Sequence, residues 1–154
     1  MIKALKYALA SSILLISTTQ TYAKDDCTIH YYADDTITSL INEKGLKVEN
    51  YDRLCKLLKS ANASVKFDQI TQISPYQTTA AVSIRLQADE FKNANLIIYS
   101  YANNWMRYEE QRTSSIEKEN LYNIAMAALN AIDQKMVDNL DNQRAAIKRY
   151  KATK

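Results

Sequence analysis

Few side chains here can do covalent chemistry, and their spacing is informative mainly through what it rules out. There is a single histidine, His30, so zinc sites built on two or three imidazoles are excluded and no metal is expected. A general-base role for His30 would need an orienting carboxylate from Asp34 or Asp35, and no serine stands at a spacing that completes such a set. The single glycine, Gly45, excludes phosphate-cradling loops and dinucleotide turns, which need several glycines for close backbone approach. It also excludes nucleophile elbows, which need two. No cofactor is expected. Carboxylate pairs fare no better. Glu109 and Glu110 are adjacent on a presumed strand and face opposite sides, while Glu117 and Glu119 sit in a first helical turn, where the helix dipole favours acids. Asp89 and Glu90 share a loop with Lys92. The chain reads as non-enzymatic.

Two features point to binding instead. On alternating strand geometry Tyr99, Tyr101, Trp105 and Arg107 share one sheet face. These residue types give large desolvated area with a polar handle and are enriched at interface hot spots. That face either packs beneath a helix, with Trp105 in the core, or stands exposed as a binding surface while Ile98, Ala102, Met106 and Tyr108 are buried. The second feature is the tail from Asp141, where Arg144, Lys148, Arg149, Lys151 and Lys154 oppose one acid. Such basic residues complement a helix C-terminus and could meet an acidic partner or an anionic membrane surface. Asn62-Ala63-Ser64 matches a glycosylation acceptor.

The chain start sets the expected compartment. Lys3 and Lys6 precede an apolar run from Tyr7 to Ile16, and Thr21 and Ala23 fit the positions read by a signal peptidase. Residues 1–23 are expected to be a signal peptide, the run being too short for a span of about 20 apolar residues. Removing those 23 of 154 residues leaves 131, and the loss of two lysines lowers the net charge from +3 to +1. Near-neutrality argues against a nucleic-acid partner. Cys27 and Cys55, an even pair in an exported chain, read as one disulfide. Lys24-Asp25-Asp26 before Cys27 does not resemble a lipid-attachment site. The expectation is a periplasmic or secreted protein that is not lipid-anchored and has no membrane span.

The elements that must position these residues follow from periodicity. Asp34–Lys44 reads as a helix with Ile37, Leu40 and Ile41 on one face and Gly45 as its stop. Asn50 caps a second, Tyr51 to about Ala61, with Tyr51, Leu54, Cys55 and Leu58 buried. Val65–Ile73 and Thr79–Gln87 alternate as strands, and 96–102 and 105–113 follow, either with Asn103-Asn104 as a hairpin turn between them or as one long strand running through the asparagines. Ser114 and Glu117 form a capping box. It opens a long helix to about Tyr150, which breaks near Asn139–Asn142 or projects into solvent.

The fold class is α+β: two short N-terminal helices, a three- to four-stranded antiparallel meander, and a long C-terminal helix packed on one sheet face. Residues 24–154 make one domain ending in the basic tail. The expected function is an exported, non-catalytic protein acting by protein–protein contact, with an inhibitor or immunity-type protein as one concrete form. Its partner would be another protein in the envelope or extracellular space. The alternatives are a cell-envelope hydrolase or glycan-binding module, and an assembly factor that dimerises through the C-terminal helix. The sequence does not fix the oligomeric state.

Overall fold

The computed structural model describes residues 27–91 and 102–152. The expected signal peptide, Tyr99, Tyr101 and nearly all of the strand expected at 96–102 lie outside the described residues. The fold is α+β, with four helices and a four-stranded mixed sheet. Strand β1 (Tyr31–Tyr32) leads into α1 (Asp35–Lys44) and α2 (Tyr51–Ser60). Long strands β2 (Ala63–Ile73) and β3 (Thr78–Ala88), a short 3-10 turn and β4 (Asn103–Glu109) follow. Helices α3 (Ser114–Asn130) and α4 (Gln134–Ala152) close the chain. The strands lie in sequence order, with β2–β3–β4 antiparallel. The expected meander, starting at β2, is matched in part by β2–β3–β4, and the sheet is mixed because β1, outside the expected strands, pairs parallel to β2 after the chain crosses over through α1 and α2.

The alternation along β3 decides which side the helices cover. Thr78, Ala80, Val82, Ile84, Leu86 and Ala88 are buried, and the residues between them are half-buried. Opposite them on β2 lie Val65 and Phe67, also buried, and α3 packs across β3 and β4 on this side. Leu121, Ala125, Ala128 and Leu129 of α3 are almost fully buried. The two alanines allow the helix backbone to approach closely.

Local chemistry fixes the element ends. Asp34 accepts from the Ile37 amide at 2.9 Å and Asn50 from the Arg53 amide at 3.3 Å, capping α1 and α2 as their side chains predict. Gly45 has φ +79°, a left-handed conformation that a side chain would strain, and its N–H reaches the Ile41 carbonyl at 2.8 Å. The α3 cap is shifted by one residue from the expected capping box: Thr113, not Ser114, accepts from the Ile116 amide. Asn103 and Asn104 are strand residues of β4, paired with Ile84 and Ser83, so the hairpin turn expected there is not formed. Backbone pairing to β3 outweighs the turn preference of asparagine.

The long C-terminal helix is two helices, separated at Ala131–Asp133. Asp133 accepts from the Met136 amide at 3.0 Å and starts α4 anew. Ile132, fully buried at the corner, anchors the turn. The chain therefore folds back instead of projecting, and Met136, Val137 and Leu140 return to the core.

Cys27 and Cys55 are joined, with Sγ–Sγ 1.99 Å. The bridge ties the segment before β1 to the buried face of α2. At a sequence separation of 28, the chain-entropy model gives roughly 3.5 kcal/mol from restricting the unfolded chain. Cys27→Ser/Cys55→Ser should therefore unfold at markedly lower urea than the oxidised protein, by about that free energy, with the slope of the transition showing any change in unfolded-state compactness. Equal midpoints would mean that the bridge adds nothing to this fold.

Candidate protein-binding face

The helices cover one face of the sheet and leave the other bare among the described residues. On β2 the bare face presents Lys66, Asp68, Ile70 and Gln72, on β3 Thr79, Ala81, Ser83 and Arg85, and on β4 Asn104, Met106 and Tyr108. The registers align these in rows: Asp68–Ser83–Asn104, Ile70–Ala81–Met106 and Gln72–Thr79–Tyr108. The chemistry differs along the strands. At one end Asp68 is ion-paired with Arg85 and approached by Lys66 at 3.8 Å. At the other end Ile70 is 74% exposed, Met106 69% and Tyr108 66%. Tyr76, in the turn joining β2 to β3, extends the exposed apolar surface.

The four residues expected to share an aromatic face are not all on this surface. Tyr99 and Tyr101 are outside the described residues. Trp105 pairs with Val82 and Arg107 with Ala80, which places both on the helix side of β4. They stand at its rim: Trp105 remains 37% exposed, and Arg107 holds Glu109 at 2.8 Å. Met106 and Tyr108, expected inside if that set were exposed, are outside. The signal that finds the bare face is the register to β3, and one strand read alone cannot supply it.

No family model, curated protein or solved structure matches this chain. Geometry alone carries the functional argument.

A second concave feature lies at the opposite end of the sheet. A cleft of about 290 Å³ is lined by Cys27, Thr28, His30, Lys59, Asn62 and Asp89, among others. His30 is exposed there, and the carboxylates expected to orient it are elsewhere: Asp34 caps α1 and accepts from Gln69, and Asp35 lies in the first turn of α1. Asp89, the one carboxylate lining the cleft, accepts from the buried Ser64 hydroxyl at 2.5 Å. A glycoside-cleaving pair needs two carboxyl groups roughly 5 to 9.5 Å apart, and among the described residues lining the cleft Asp89 is one. The glycosylation acceptor is also tied down, since Asn62 donates to Glu90 at 3.2 Å and Ser64 is 1% exposed.

The basic tail has lost part of its charge to structure. Arg144 holds Glu90 at 2.6 Å and Asp141 at 2.8 Å, and donates to the Asn62 carbonyl at 3.0 Å. This pins α4 to the corner where β2 begins and β3 ends. The guanidinium holds the Glu90 carboxyl below its ordinary value, and Glu90 in turn raises Arg144. A depressed carboxyl contributes stability above the ordinary carboxylate range and loses it as pH falls through the folded value. With the Glu90 side chain 41% exposed, screening limits the pair to at most about 1 kcal/mol. Glu90→Gln should show that loss at neutral pH in urea titrations. The gap from wild type should close on the acid side of 4.5. A gap unchanged by acid would assign the loss to packing instead.

The two faces of β4 should respond differently to truncation. Trp105→Ala removes a partly buried ring beside α3 and should cost about 1–2 kcal/mol. Tyr108→Ala and Ile70→Ser, on the bare face, should stay within about 0.5 kcal/mol of wild type. Thermal unfolding monitored by circular dichroism separates the two classes.

Proposed function

We propose that this is an exported, non-catalytic binding protein that engages another protein through the bare face of its sheet, an inhibitor or immunity-type protein being one form of that activity. The observation that carries the reading is the Ile70–Ala81–Met106 row with Tyr108 beside it, exposed on a helix-free face. Single exposed apolar residues are ordinary on protein surfaces, whereas a contiguous group marks an interaction site. The surrounding chemistry suits a protein partner. The patch combines aliphatic, thioether and aromatic side chains, and the adjoining polar end holds the ion pairs of Asp68 with Lys66 and Arg85.

Export is supported by two independent features. The disulfide belongs to an oxidising compartment, and the first 23 residues have the order of a signal peptide. Among the described residues, no helix is long and apolar enough to cross a membrane. These features fit a periplasmic or secreted protein.

The test is affinity capture from the native envelope and extracellular fractions with the disulfide-intact protein, compared with Ile70→Ser/Tyr108→Ala. One stoichiometric protein, retained by wild type and lost at least ten-fold with the double variant, is the expected result. Equal retention by both proteins would remove the bare face from the binding surface. Capture of glycan in place of protein would favour the glycan-binding alternative.

A further inference from the structure

We propose that β4 pairs antiparallel with β4 of a second copy about a two-fold axis through Met106, joining two four-stranded sheets into one. In the sheet order β4 is a terminal strand, bonded to β3 on one side. Among the described residues, no backbone or side-chain hydrogen bond reaches its outer edge. Long exposed edges are templates for pairing, and proteins commonly blunt them with proline, lysine, bulges or brevity. On the opposite side β1 has two residues and pairs with Val65 and Lys66 of β2, and the Gln69 side chain on that strand is held by Asp34. The seven residues of β4, Asn-Asn-Trp-Met-Arg-Tyr-Glu, include no proline, glycine or lysine, and each pairs one-to-one with β3 without a bulge.

Symmetry and face together select the register. A two-fold axis perpendicular to a continuous sheet must pass through a residue, because an offset between residues would set helix-side positions against bare-face ones. Met106 is the centre of β4, and an axis there pairs all seven residues. Trp105 then stands opposite Arg107 of the partner subunit, twice by symmetry, placing a guanidinium beside an indole face. Asn104 meets Tyr108 of the partner subunit, and Asn103 meets Glu109 of the partner subunit. No like charges are opposed. An axis one residue later sets Arg107 against Arg107 of the partner subunit, and either neighbouring axis pairs fewer residues. The occupant that complements this edge is therefore the edge itself.

The pairing also explains why Trp105 and Arg107 stay at the rim instead of turning inward. On the bare face it brings the two Ile70–Ala81–Met106 rows end to end across the axis. The inference does not rest on the proposed function: a monomer overturns the pairing and leaves partner capture to decide the function.

The test uses three variants of the disulfide-intact protein. Among the described residues there is no free cysteine, so Met106→Cys introduces a thiol at the axis, where paired Cβ atoms stand about 4.5–5.5 Å apart. Air oxidation should give a covalent dimer in high yield, while Ile73→Cys, exposed but off the axis, should not. Sedimentation equilibrium should show a wild-type dimer, and Met106→Lys, which places two ammonium groups on the axis, should weaken it at least ten-fold with an unchanged circular dichroism spectrum. A wild-type monomer at hundreds of micromolar would overturn the proposal. So would a dimer that tolerates Met106→Lys, or equal cross-linking at both positions.

Discussion

The period-two alternation of β3 is the constraint on which the rest of the structure depends. It is the central long strand, paired on both sides over most of its length, so its backbone has no freedom to rotate one side chain independently of the next. Burying Ala80, Val82, Ile84 and Leu86 on one side commits Ala81, Ser83 and Arg85 to the other. Small and polar residues on that second side give a helix little to pack against. All four helices follow β3's apolar side, and the two faces of the sheet acquire different physical roles.

Ties across the structure reinforce that division. The disulfide joins the start of the described chain to α2, and Arg144 clips α4 to the corner of β2 and β3. The Tyr122 hydroxyl donates to the Gly45 carbonyl at 2.8 Å, and burial pushes that phenol upward, which keeps it protonated as the donor. The Asn130 side chain accepts from the Glu49 amide at 2.9 Å. Together these hold α3 against the loop after α1. Such links order the covered side and leave the apolar end of the bare face free of cross-links.

What could be read from the sequence divides along the same line between local and non-local physics. Helix caps at Asp34 and Asn50, the stop at Gly45, the alternation of β3 and the cysteine pair depend on neighbours in sequence or on compartment, and all were legible. The break after α3 was not. Ile132, Met136 and Leu140 keep a four-residue spacing through it, so the core stripe looks continuous although two helices supply it. Only the Asp133 side chain marks the restart, and an aspartate inside an apolar stripe is a weak signal. The asparagine pair failed for a related reason: positive-φ tolerance is a local preference, and pairing with Ser83 and Ile84 is a tertiary fact. The candidate face was not legible: the sequence singles out Trp105 and Arg107, which stand on the helix side of β4, and gives Ile70 no role. The face that strand presents depends on register with β3, and a residue shift of one exchanges the faces completely.

That exchange bears on how the exposed residues should be interpreted. Nothing in the packing requires Ile70, Met106 or Tyr108 to be apolar, since each projects from the bare face and is mostly exposed. Threonine or lysine would keep the same backbone ladder with less apolar surface in water. The charged end of that face shows that the same strands do accommodate ions, with Lys66, Asp68 and Arg85 one or two rows away. An apolar group at these positions is what the proposed contact with another chain would use. Among the described residues, Met106 lies where the helix-free face meets the outer edge of the terminal strand. Contact there removes apolar surface from water and satisfies strand-edge hydrogen bonds in one step, a combination that neither the face nor the edge provides alone.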